Sequence, residues 1–155
     1  MPSRAAIEAF LERRSVAIVG VSRNPQDFTR SVHRAFREAG YRVSAVNAQA
    51  GEDDTVDGDP LVRTLGLVDQ PVDAVLVMVP PAASAAVVQE ALDRGVRHVW
   101  LHRGAGLGSV SDEAVAVARR GGAEVVDGAC PLMFLGEPGL VHRVHRFLIR
   151  GRLTA

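Results

Sequence analysis

The sequence predicts an α/β fold: five parallel strands in the order 3-2-1-4-5, with helices on both faces of the sheet. Three observations carry the prediction. Short apolar runs alternate five times with segments of helical periodicity, as crossover-connected parallel strands require. The run Val72–Val79 is apolar enough to be buried on both faces. The first run, Val16–Val19, closes on Gly20 and leads through a short polar loop into a helix. That strand-glycine-helix passage is how such folds bring backbone N–H groups to a phosphate, and it makes the arrangement Rossmann-like.

The elements follow in order. Ala5–Arg14 reads as a helix, with Ala6, Ile7, Phe10 and Leu11 at helical spacing, and Val16–Gly20 is strand one. Helix one runs from Thr29 to Ala39, Val32, Ala35, Phe36 and Ala39 forming its apolar face, and Gly40 ends it. Tyr41–Val46 is strand two. Gln49–Asp59, acidic and glycine-bearing, reads as a loop, and Pro60–Leu67 as one or two helical turns. Strand three, Val72–Val79, stops at Pro80-Pro81, before a helix over Ala82–Arg94 that Gly95 ends. Arg97–Leu101 is strand four, and the loop His102–Val110 holds three glycines. Ser111 caps a helix to Arg120, with Asp112 and Glu113 in its first turn. Ala123–Val126 is strand five, and Gly139–Arg150 is a last helix.

At 155 residues, with 47% hydrophobic and 23% charged residues, the chain is expected to form one soluble domain over 1–155. Residues 1–14 supply its N-terminal helix and 132–155 a C-terminal extension. No apolar run approaches the roughly 20 residues of a membrane span, and the charged N-terminus is unlike a signal peptide. One cysteine forms no internal disulfide, so the cytoplasm is the expected compartment. Net charge is zero and every basic group besides histidine is arginine. Five acids and no base lie between Ser44 and Val62, whereas Leu140–Ala155 holds four arginines, two histidines and no acid. No broad basic face speaks for nucleic acid.

With strand order 3-2-1-4-5, the winding reverses between strands one and four, and ligands bind at the carboxyl ends of the strands at that point. The loops Gly20–Asp27, Asn47–Gln49, Val79–Pro81, His102–Gly106 and Asp127–Pro131 therefore surround the expected crevice. A nicotinamide dinucleotide fits its sequence poorly. The fingerprint G-x-G-x-x-G has Ser22 and Pro25 in place of its second and third glycines, and Asn47-Ala48-Gln49 offers no carboxylate for a ribose hydroxyl. Arg23 and Arg30 stand where they could pair with phosphate oxygens.

The segments GVSRNP after strand one, GYRVSAVN through strand two, VDAVLVMVPP, GVRHVWLHRGAG and the single cysteine after strand five stand in the order of a known family. Over residues 10–131 the chain resembles the small stand-alone CoA-binding proteins, similar to the N-terminal domain of the succinyl-CoA synthetase α subunit. The resemblance implies coenzyme A as ligand. It places the pyrophosphate against Gly20, Val21, Ser22, Arg23, Asn24 and Pro25, with Arg30 and Ser31 on the helix. It flanks the adenosine with Val46, Asn47, Val79, Pro80 and Pro81, and points the pantetheine arm toward Arg103-Gly104-Ala105, while Cys130, at the same ligand edge, stands where its thiol could meet that of CoA. Where the family reads V-N-P, this chain has Val46-Asn47-Ala48, and His102-Arg103-Gly104 replaces the usual glutamine-x-glycine.

The leading expectation is a non-catalytic protein that binds CoA or acyl-CoA, as a carrier or sensor. An enzyme of this class would use Cys130 as nucleophile or His102 as acid or base. An NAD(P)-binding regulatory module is the remaining alternative. His33 and His98 read as structural. His142 and His145, three apart, make a weak metal site and read instead as a basic helix face open to a homodimer contact.

Overall fold

The computed structural model describes residues 2–135, apart from 105 and 107. The predicted helix over Gly139–Arg150, with His142, His145 and the dimer contact assigned to it, lies outside these residues. Helix α1 (Arg4–Leu11), capped by Ser3, leads to β1 (Ser15–Val19), then α2 (Phe28–Glu38) and β2 (Arg42–Val46). Two short strands follow, β3 (Thr55–Val56) and β4 (Asp59–Val62), and a 3-10 turn at Leu65–Leu67. The second half is β5 (Ala74–Val77), α3 (Pro81–Asp93), β6 (His98–His102), α4 (Asp112–Arg120), β7 (Glu124–Ala129) and α5 (Leu132–Leu135).

The fold is α/β and Rossmann-like, but its sheet has seven strands in the order β3-β4-β2-β1-β5-β6-β7. Six are parallel, and β3 alone runs antiparallel, against β4. This corrects the expected five-stranded, order 3-2-1-4-5 sheet. The segment read as loop and helical turn is a hairpin, closed by Asp57 and Gly58 at φ 49° and 89°, both left-handed as a tight two-residue turn demands. Its second strand, β4, lies parallel to β2, and Pro60 is tolerated because the pairing there is short. With β4 counted as the third strand, the parallel strands run 3-2-1-4-5-6. The winding therefore reverses between β1 and β5, not between β1 and the strand that carries Trp100.

Alternation along each strand divides the core in two. Val16, Ile18, Leu76 and Trp100 face α1, α2 and α5, joined by Phe10, Val32 and Phe36. Ala17, Val19, Val75, Val77, Val99 and Leu101 face α3 and α4, with Val88, Ala91 and Ala118. The Phe10 ring meets Trp100 edge-on at 5.2 Å, and Trp100 Nε1 donates to Ala129 O at 2.8 Å. Among the described residues no helix is long and apolar enough to cross a membrane.

Candidate functional site

The carboxyl ends of β1, β2 and β5 are tied together at Gly20. Its φ is +108°, and a Cβ there would stand 2.6 Å from Met78 O, so only glycine allows β5 to pass this close. Gly20 and Val21 both donate N–H to Val46 O, at 2.8 and 3.2 Å, and Met78 N–H donates to Val19 O at 2.8 Å. Asn47 Nδ2 donates to Val21 O at 2.8 Å, and Val21 itself is fully buried. Gly20, Val21, Val46, Asn47 and Val79 thus share one place, as the sequence leads one to expect.

Beyond Val21 the loop is held by its own side chains. Ser22 N–H donates to Thr29 Oγ1 at 2.8 Å, and Thr29 Oγ1 donates to Asp27 Oδ1 at 2.7 Å. Asn24 N–H donates to Ser22 Oγ at 3.1 Å, and Gln26 N–H to Asn24 Oδ1 at 3.0 Å. Asp27 caps α2, its carboxylate accepting Thr29 N–H at 2.8 Å. Neither Asp27 nor Thr29 stands out in the sequence analysis, although an aspartate two residues before a threonine at a helix start is a capping signal. Pro25 and Ser31 are exposed, Ser31 on the outer side of α2.

The two arginines differ. Arg23 is exposed, and its Nε meets Asp54 Oδ2 at 2.7 Å. Arg30 is buried; its Nη1 donates to Ser22 O and Arg23 O at 3.4 and 3.5 Å, and its Nη2 lies 3.9 Å from Asp57 Oδ1. Asp57 faces His33 Nδ1 at 3.5 Å and Arg34 Nη2 at 3.9 Å, while Arg37 pairs with Asp59 at 2.9 Å. The acidic hairpin is therefore docked on the basic face of α2. Burial holds His33 below the ordinary histidine range, opposed by the Asp57 carboxylate. The Asp54 carboxyl is held below its usual value, first by the hydrogen bond from Gly51 N–H and then by Arg23.

The loops after β5 and β6 are joined through Ser109, which is buried. Its Oγ donates to Val79 O at 2.6 Å, its N–H to His102 O at 2.7 Å, and its carbonyl accepts Ser84 Oγ at 2.6 Å. Pro80 precedes α3 and Pro81 is its first residue, so the Pro-Pro pair stands at a helix start beside Gly20. Farther along the edge, His102 is not a loop residue but the buried last residue of β6. Its Nε2 has no hydrogen-bond partner, the Phe28 ring lies tilted against it at 5.7 Å, and burial lowers its pKa. Arg103 and Gly104 are exposed beside it, and half-buried Cys130 begins the turn into α5, its carbonyl accepting Met133 N–H at 3.1 Å. These three residues lie two and three strands from β1, farther out than the expected topology places them.

A cavity of about 300 Å³ lies elsewhere, on the β2–β4 flank beside Tyr41, Val43, Asp59 and Val68. Among the described residues, no group of three or more His, Cys, Asp or Glu side chains could hold a metal ion.

Known proteins resemble this chain in sequence and in fold. The uncharacterized protein YneT of Bacillus subtilis (strain 168) is 29% identical over 130 residues, covering 83% of this chain and 91% of its own. A solved protein of Thermus thermophilus is 28% identical with a TM-score of 0.70, over 86% of this chain and 92% of that one. A hypothetical protein from Pyrococcus horikoshii OT3 has a TM-score of 0.71 at 22% identity, over 93% and 90% of the two chains, and shares the fold. Residues 14–135 match the model of the CoA binding domain, and the chain belongs to that family.

Proposed function

We propose that the protein binds coenzyme A or an acyl-CoA at the carboxyl edge of its sheet, without chemistry of its own, as a cytoplasmic carrier or sensor. The observation that carries this reading is the Gly20 turn, where the backbone of β1 meets β5 at the reversal of winding. There a pyrophosphate lies against the Ser22–Pro25 loop and the start of α2, with Arg23 and Arg30 supplying positive charge. Val46, Asn47, Val79 and the Pro80-Pro81 turn flank the adenosine. The pantetheine arm runs toward Arg103, Gly104 and Cys130, past His102, whose unpartnered Nε2 can hydrogen-bond an amide or thioester carbonyl. Family membership supports the ligand class, and Ser22 and Pro25 in the glycine positions weigh against NAD(P).

A thermal-unfolding panel tests the reading. CoA at 100 times its Kd stabilises the fold by about 2.7 kcal/mol, whereas NAD and NADP at the same concentration leave the midpoint unchanged. Equal stabilisation by NAD overturns it.

A further inference from the structure

The carboxylate of Asp54 receives two donors from two neighbouring segments at the carboxyl edge of the sheet. Gly51 N–H, from the segment leaving β2, and Arg23 Nε, from the loop leaving β1, both meet Oδ2 at 2.7 Å. A backbone N–H and a guanidinium converging on one oxygen are a donor set for an oxyanion. Arg30 stands behind the same loop. It is more than nine-tenths buried, its Nε has no partner, and its nearest carboxylate, that of Asp57, is 3.9 Å away. A guanidinium taken out of water with an orphaned N–H and no hydrogen-bonded carboxylate is short of negative charge.

Asp54 is also placed to move. Its backbone is held, the carbonyl accepting Leu61 N–H at 2.9 Å, so only the partly exposed side chain has to swing away from the two donors. Its neighbours Glu52 and Asp53 are exposed, so a released Asp54 enters water rather than a packed core.

We propose that Gly51 N–H and Arg23, with Arg30 behind them, form a subsite for a ribose phosphomonoester, and that Asp54 is a built-in carboxylate occupying it until such a phosphate arrives. The proposal rests on the nucleotide-binding reading above and deepens it, because CoA carries that group on its ribose 3′-hydroxyl and NADP carries it on the 2′-hydroxyl. A phosphomonoester brings a charge of about −1.5 to −2 and three acceptor oxygens against the single charge of Asp54. It therefore wins the shared donors, whereas a ligand lacking it leaves Asp54 in place. The carboxylate scales the apparent affinity of every phosphomonoester ligand down to the fraction of time it leaves the subsite free.

Isothermal titration of CoA, 3′-dephospho-CoA and NADP into the wild type, D54N and R23Q provides the test. CoA binds wild type at least tenfold more tightly than dephospho-CoA. D54N binds CoA three- to tenfold more tightly than wild type, a gain that dephospho-CoA does not share, and R23Q narrows the gap between the two ligands. Should D54N not fold, the gap in wild type and its narrowing in R23Q decide the matter alone. CoA bound equally well with and without its 3′-phosphate overturns the subsite and leaves the CoA reading standing. NADP bound in place of CoA, with the same gain in D54N, keeps the subsite and overturns the CoA reading. Binding of none of the three overturns both.

Discussion

The loops that leave β1 and β6 share one feature. Each contains a left-handed glycine set so close to a carbonyl that no side chain fits: Gly20 against Met78 O, and Gly108, φ +63°, where a Cβ would stand 2.2 Å from His102 O. In the rest of their length they differ. The β1 loop pairs the N–H groups of Ser22, Asn24, Gln26 and Thr29 with its own side chains, Thr29, Ser22, Asn24 and Asp27. The β6 end has a buried His102 Nε2 with no partner, and Arg103 and Gly104 stand exposed beside it. One end of the crevice is pre-organised, so binding there orders little and discriminates by fit. The other end holds a polar atom whose desolvation is uncompensated, so whatever reaches it gains by supplying the missing hydrogen bond.

The largest expected effect belongs to the feature the loops share. Gly20→Ala adds a Cβ 2.6 Å from Met78 O at a φ of +108°, and lowers stability by about 2–4 kcal/mol in urea unfolding. Gly95→Ala has a similar φ, +87°, but meets nothing within 4 Å. It costs only about 1–2 kcal/mol, the penalty of the backbone conformation alone. Equal losses in the two variants would show that the approach to β5 contributes nothing.

Next comes the feature that sets the loops apart. Thr29→Val keeps the shape of the side chain and removes the hydroxyl between Ser22 N–H and Asp27. It costs about 1–2 kcal/mol for the donor left without a partner, and CoA binding weakens about tenfold as the loop loosens. Thr29→Ser restores both. A Thr29→Val protein that binds CoA like wild type would remove pre-organisation from the contrast between the loops.

The histidines give each half of the sheet a pH signature. Burial lowers the pKa of His33, on the β1 side, and of His102, on the β6 side. Both resist protonation in the fold, while the unfolded chain takes up their protons as pH falls below about 6.5. Stability is therefore complete above that pH and declines below it, by at most about 1.4 kcal/mol per pH unit for each group. Urea unfolding between pH 5.5 and 7.5 measures the slope. His102→Gln and His33→Gln each flatten it, and an unchanged slope in either variant removes that histidine from the pH dependence.

The β1 side was also the more legible in sequence, up to the end of β2. Gly20 after an apolar run, and Gly40 after a helical pattern, announce local geometry that no distant contact alters. The hairpin was not legible, although Asp57-Gly58 is a strong turn signal, because only Val56 and Leu61 flank it as buried apolar residues and Pro60 argues against a strand. Missing β4 moved the reversal of winding one strand outward, and with it the expected position of Arg103 and Cys130. His102 was misread for a different reason. A histidine beside Arg103 and Gly104 resembles a loop residue, yet it lies two residues from Trp100 and so shares its buried face. The acids at 52–59 look like solvated charge in sequence; only the fold shows that Asp54 and Asp57 face arginines of the candidate site.

Cys130 carries the smallest expected effect and bears most directly on how open the β6 end is. The residue is half-buried, and its backbone carbonyl accepts Met133 N–H in the turn to α5. A serine keeps that carbonyl and the size of the side chain, so Cys130→Ser changes CoA affinity by no more than about twofold, and stability by no more than about 0.5 kcal/mol, in titration and urea unfolding. His102→Phe, by contrast, fills the same volume without a polar atom and weakens CoA binding by about tenfold if Nε2 meets the pantetheine arm. A tenfold loss in Cys130→Ser with none in His102→Phe would reverse the assignment. The thiol, rather than the imidazole, would then be the group at that end of the crevice that the ligand completes.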